Sequence, residues 1–252
     1  AVTCISQHIF LFGIMNKKTG ILLLTLIVPV FIYLGLKTFG TNHYELPRFI
    51  PTIDSTTGEI KMAKRLHPRW NESDLDTIFQ TIPAFQLTDE TGKAYSSKTL
   101  KGKIYVANFF FTRCGTICPK ITSQVSRATD AFTQDSDVHF ISISVDPNFD
   151  NPNKLSAYAK RFEADSTRWT FLTGTKKAIY PLILKGFHVP LADASEYDAA
   201  IKNPDETFIH SERLVLVDKA GIIRGFYDGT NKKEVDRLIM EIKVLKSIYT
   251  TE

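Results

Sequence analysis

The longest apolar stretch of the chain lies near its start. Ile21 to Leu36 reads ILLLTLIVPVFIYLGL without a charge. With Gly20 before it and Thr38-Phe39-Gly40 after Lys37, it approaches the roughly 20 residues that cross a bilayer. Lys17 and Lys18 precede it, which by the positive-inside rule predicts a cytoplasmic N-terminus and everything beyond about residue 40 outside. No Ala-x-Ala-like cleavage site follows the run, so the expectation is a retained signal anchor over 21–39 behind a cytoplasmic segment 1–20. No Cys directly follows the run to carry a lipid. Met15-Asn16-Lys17-Lys18 reads as a natural start, under which residues 1–14, with Cys4 and His8, are not part of the native protein.

From 40 to 80 neither a 3.6 nor a 2.0 period persists, and Pro47, Pro51, Gly58 and Pro68 punctuate the segment. It reads as a tether, with a short turn of helix over Asp74–Ile78. Beyond 81 the pattern tightens. Ala84 to Thr88 alternates like a strand, Asp89 to Gly92 is turn chemistry, and Lys93 to Ser96 returns as a short partner. Ile104 to Phe111 is a near-continuous apolar run, as in a strand buried on both faces. Pro119 suits a first helical turn, and Ile121, Val125, Ala128 and Phe132 give that helix a buried stripe.

Val138 to Val145 is a second inner strand. A helix over 152–162, a strand over 169–172 and a helix over 176–185 follow. Residues 187–208 read as an irregular insertion. The strands 214–217 and 222–227 then flank the turn Asp218 to Gly221, and a last helix runs over 232–248. This order predicts a layered α/β domain with a mixed sheet over 81–250.

The 252 residues, 43% of them hydrophobic, suffice for one ordinary core plus extra segments. A formal net charge of +4 with scattered basic residues argues against nucleic acid. Three cysteines are too few for a disulfide scaffold, yet two of them sit four positions apart. Cys114 and Cys118 follow the first inner strand, at the carboxyl end where open α/β sheets place their chemistry. Partial positive charge at a helix N-terminus, and Arg113 next door, favour the thiolate form. Such a pair can bind a soft metal together, or close into a small disulfide if the first helical turn distorts.

Two thiolates seldom complete a transition-metal site, so a third ligand is sought among six histidines. His8 lies in the doubtful start, His43 and His67 in the tether, His139 within a strand and His188 in the insertion. His210 ends a loop just before a strand that should pair beside the cysteine strand. Ligand and capping roles are both open to it on spacing. Two cysteines and one histidine suit Cu(I), or Cu(II) with imidazole, whereas structural zinc wants four protein ligands.

Phe110-Phe111-Thr112-Arg113-Cys114-Gly115-Thr116-Ile117-Cys118-Pro119 resembles the FFT-x-C-x-x-x-C-P signature of the Sco (SCO1/SenC) family. Ser142 to Pro147 resembles that family's second strand with its Asp-Pro. His210-Ser211 and the run Gly225 to Gly229 resemble its His region and terminal hairpin. The resemblance covers roughly 81–250. It implies a thioredoxin-like three-layer fold and copper bound by Cys114, Cys118 and His210. It also implies a role in maturing the dinuclear copper centre of cytochrome c oxidase, by copper delivery, by reduction of the target's cysteines, or both. Asp146 matches an acidic position near the family's site. Gly115-Thr116-Ile117 departs from the members with an acidic residue in that gap.

The predicted function is therefore a membrane-anchored copper chaperone, single-pass, with its C-terminal domain on the periplasmic side. Its partners would be the copper-receiving oxidase subunit and other copper carriers or thiol reductases. The alternative is a thiol-disulfide oxidoreductase, disfavoured because the usual redox motif of this fold has two intervening residues. A peroxidase of the peroxiredoxin kind is disfavoured because no Pro lies between Gly102 and Cys118.

Overall fold

The computed structural model describes residues 17–39, 46–66, 73–193 and 208–251. Residues 1–14, with Cys4 and His8, lie outside them, as do His43, His67 and 194–207. Helix α1 (Lys17–Phe39) covers the apolar run and carries Pro29 inside it. Its large apolar side chains from Ile21 to Leu34 are exposed. Among the described residues no helix is long and apolar enough to cross a membrane.

Glu45–Glu252 forms a second compact unit. At its start, β1 (Met62–Leu66) and β2 (Ser73–Thr77) pair antiparallel, with Met62 opposite Thr77. The pattern predicted a helical turn over Asp74–Ile78, but the chain there is extended. A ladder partner satisfies backbone groups that a lone turn would leave to water. Leu46, ahead of this strand pair, is buried. The Arg224 guanidinium donates to the carbonyls of Leu46 and Pro47, 2.5 and 2.9 Å away, and pairs with buried Asp218. Phe49 donates its N–H to the Ile223 carbonyl and sets its ring edge-on to Phe226.

The central sheet has seven strands. In chain order they are β3 (Gln86–Asp89), β4 (Ala94–Ser96), β5 (Ile104–Phe110), β6 (Val138–Ser144), β7 (Trp169–Thr173), β10 (Arg213–Val217) and β11 (Ile223–Asp228). Their spatial order is β11-β10-β5-β6-β7-β3-β4. The central β5, β6 and β7 are parallel, and the flanking strands are antiparallel. Every residue of β5 is buried. Adjacent strand residues point to opposite faces. Phe110 thus meets Tyr158 of α3 (Pro152–Arg161) on one side, and Phe109 meets Phe187 on the other. Apolar packing on both faces of one sheet gives the expected three layers.

Helix α2 (Ile117–Asp130) buries Ile121, Val125 and Ala128, with Phe132 just past its end. The last helix, α5 (Lys232–Thr251), buries Val235, Leu238, Ile242 and Leu245. The helix read over 176–185 is regular only in α4 (Lys176–Pro181) and continues as one π-helical turn, Leu182–Gly186. In that turn the Phe187 N–H reaches back to the Leu182 carbonyl. The insertion is not wholly irregular either. β8 (Leu191–Asp193) pairs antiparallel with β9 (Phe208–His210), with Leu191 opposite His210. His210 therefore closes a short strand and not a loop.

Candidate metal centre

β5 runs out into Phe111, and the Cys114 N–H closes a tight turn onto the Phe111 carbonyl at 3.3 Å. α2 begins at Ile117, so Cys114 precedes the helix and Cys118 sits in its first turn. The N-cap residue, Thr116, makes no side-chain cap. The Cys118 N–H instead donates to the Cys114 sulfur at 3.3 Å. First-turn N–H groups of a helix have no intrahelical partner, and here a sulfur accepts one of them. That contact holds both cysteines in one turn and aims a helix N–H at the Cys114 sulfur. Neither residue is in a disulfide, and both are buried, beneath exposed Gly115 and Thr116.

Behind the pair, the Thr122 hydroxyl donates to the Cys118 carbonyl at 2.8 Å, and the Tyr158 hydroxyl lies 2.9 Å from it. Burial raises the Tyr158 phenol well above its ordinary value, and the two cysteines add to this, so it stays a donor.

Arg113 does not stand free as a cation beside the thiols. Its Nε donates to the buried Asp146 carboxylate at 2.7 Å, and its guanidinium lies 4.7 Å over the Phe149 ring. Lys154 covers the same ring and donates to the Phe149 carbonyl at 3.0 Å. The help expected from Arg113 is thus shared with Asp146, and the Asp-Pro of the sequence reading marks a loop tied to the cysteine turn. Asp150 in that loop went unnoticed in the sequence. It is fully buried, and burial first, then nearby Asp146, pushes its carboxyl above the ordinary range. An Asp four residues after another in a loop carries no periodic signal that would have singled it out.

Among the described residues, no three of His, Cys, Asp or Glu come together as a metal cage. The two thiols stand together, and the His210 side chain lies outside the described residues. Its backbone is informative. β9 leads directly into β10, which is antiparallel to β5 with Val215 opposite Ala107. The start of β10 therefore lies at the same end of the sheet as the cysteine turn. His139 belongs to the other end: β6 starts there, and the Lys103 ammonium sits 3.2 Å from its Nε2. His188 bonds Gln80.

The family model for SCO1/SenC matches residues 74–246. The chain belongs to the SCO1/SenC family. A SCO1 homolog of Bacillus subtilis is 30% identical over 172 residues, 67% of this chain and 84% of that protein. Among solved structures, BsSco, described as a Sco-family cytochrome c oxidase assembly protein with a disulfide switch, is 30% identical at a TM-score of 0.56. That match covers 66% of this chain and 94% of BsSco. Copper-bound ScoI of Bradyrhizobium japonicum is 26% identical at a TM-score of 0.55, covering 66% and 99%. The three-layer mixed sheet is the thioredoxin-like fold of these Sco proteins.

Proposed function

We propose that this SCO1/SenC protein is a membrane-anchored copper carrier of the cell envelope. It takes copper as cargo on Cys114, Cys118 and His210 and passes it to the copper-receiving subunit of cytochrome c oxidase during assembly. The observation that carries the reading is the single turn holding both cysteines, with the Cys118 N–H on the Cys114 sulfur. Two thiolates and an imidazole are a soft set that suits Cu(I) and also holds Cu(II). Asp146 supports the site by holding Arg113. A relative solved with copper bound, ScoI of Bradyrhizobium japonicum, supports copper as the cargo. The uncharged sequence from Ile21 to Leu36 behind Lys17 and Lys18 supports a single-pass anchor, with the domain on the periplasmic side of the cytoplasmic membrane.

A second reading uses the same thiols for exchange, and the disulfide switch of BsSco favours keeping it. One thiolate attacks a disulfide of the target and expels a target thiolate. The second then attacks the mixed disulfide and releases the other target thiolate. This chain's pair is oxidised to a disulfide as the target is reduced by the same two electrons. Other copper carriers and thiol reductases would then reload the chain. A disulfide leaves no thiolate pair for copper, so the two uses alternate.

The test is copper stoichiometry of the full chain under Cu(I) with a competing chelator. One copper per chain is expected, with loss in Cys114→Ser, Cys118→Ser and His210→Ala. Wild type that retains none would sink the carrier reading. Reduction of a disulfide substrate by copper-free His210→Ala would favour the exchange reading.

A further inference from the structure

Asp150 ties the cysteine turn to the rest of the sheet. One carboxylate oxygen accepts the Thr112 N–H at 3.0 Å and the Ser144 hydroxyl at 2.6 Å. The other accepts the Thr112 hydroxyl. Asp150 is itself pinned through its backbone. Its N–H donates to the Asp146 carbonyl at 2.8 Å, and its carbonyl accepts the Thr173 hydroxyl at 2.7 Å. The residue thus joins the exits of β5, β6 and β7.

We propose that Asp150 is the positioning residue of the thiol pair, gripping Thr112 at two atoms and so setting where the Cys114 sulfur lies. Thr112 is inside the turn that Cys114 closes onto Phe111. A single hydrogen bond would leave that peptide free to rotate. Two acceptors on one rigid carboxylate fix both its place and its tilt. The donors are neutral groups, and Arg113 is held by Asp146 instead. Asp150 therefore acts as a geometric clamp on residue 112 while Asp146 grips residue 113. A fully buried carboxylate whose described donors are all neutral is costly unless those donors are well placed. Its two-oxygen grip is what a shorter or neutral apolar residue cannot supply.

The inference rests on Cys114 and Cys118 being the working pair, for copper or for exchange. The test uses the full chain with Asp150→Ala, Asp150→Asn and Thr112→Val. Its first readout needs neither copper nor turnover: the rate at which an alkylating agent modifies Cys114, mapped by mass spectrometry. Its second is Cu(I) affinity by competition. Outer-shell changes of this kind cost about 10–100-fold in metal affinity. Asp150→Ala is expected to weaken Cu(I) by that factor, and to speed alkylation of Cys114 above the wild-type rate as the turn loses its anchor. Asp150→Asn should restore most of both, because its oxygen can take the Thr112 N–H while its amide donates to the Thr112 hydroxyl. Thr112→Val, which keeps the backbone grip, should fall between. If Asp150→Ala does not fold, Thr112→Val decides. Wild-type alkylation and copper affinity in Asp150→Ala, or in Thr112→Val where the former is unfolded, would overturn the proposal. Failure of Asp150→Asn to restore what a folded Asp150→Ala loses would overturn it too. Wild type without copper would overturn the carrier reading alone, since alkylation still decides the clamp.

Discussion

Thr122 and Tyr158 offer a direct energetic check on the scaffold behind the thiols. The single Thr122 hydroxyl proton goes to the Cys118 carbonyl, so Tyr158 is the donor to the Thr122 oxygen. Both side chains are buried, Thr122 at 1% and Tyr158 at 5% exposure. Thr122→Val removes the acceptor and leaves the Tyr158 hydroxyl buried without a partner, a cost of about 2 kcal/mol. Tyr158→Phe removes the donor but leaves Thr122 bonded to Cys118, a cost of about 1 kcal/mol. In the double variant the stranded hydroxyl is gone, so the loss should be about 1.5 kcal/mol, where the singles sum to about 3. Urea unfolding of the reduced, copper-free chain measures all four corners of the cycle. Additivity within about 0.3 kcal/mol would refute the hydrogen-bond direction and the coupling through Thr122.

Burial first, then the charges of Lys103 and Arg168, hold His139 below the ordinary imidazole value. Its neutral form is favoured in the native state, so the unfolded chain takes up the proton first as pH falls below about 6.5, and stability drops. The loss in urea midpoint from pH 7.5 to 5.5 should be smaller in His139→Gln, and an equal loss would contradict the assignment. Arg224→Ala leaves the Asp218 carboxylate, at 2% side-chain exposure, without its cation and frees the Leu46 and Pro47 carbonyls. A loss of about 3–5 kcal/mol is expected, with faster proteolysis near residues 46–50; unchanged cleavage there would show that Arg224 does not hold the segment. Phe110→Ala opens a void between Tyr158 and Phe171 and should cost about 3–5 kcal/mol by urea unfolding. A cost under about 1 kcal/mol would mean that the neighbours collapse into the space.

Much of the architecture is written locally. The apolar run from Ile104, the 3.6-residue stripe from Ile121 and the second run from Val138 each report their own burial, so the inner strands and the helix between them follow from period alone. The thiol pair and its place after an inner strand are equally local. What periodicity cannot carry is pairing between distant segments. The paired strands β1 and β2 and the short strand that ends at His210 exist because a partner strand supplies their hydrogen bonds, and neither has enough apolar alternation to announce itself. The clamp is the extreme case: Asp150 and Thr112 are 38 residues apart and meet only because β5 and β6 lie side by side. Residue types and spacing thus determined which atoms could bind a soft metal. Only the tertiary structure decided that Arg113 answers to Asp146 and which buried carboxylate holds the turn. Those are contacts between strand ends, set by topology and not by neighbours in the chain.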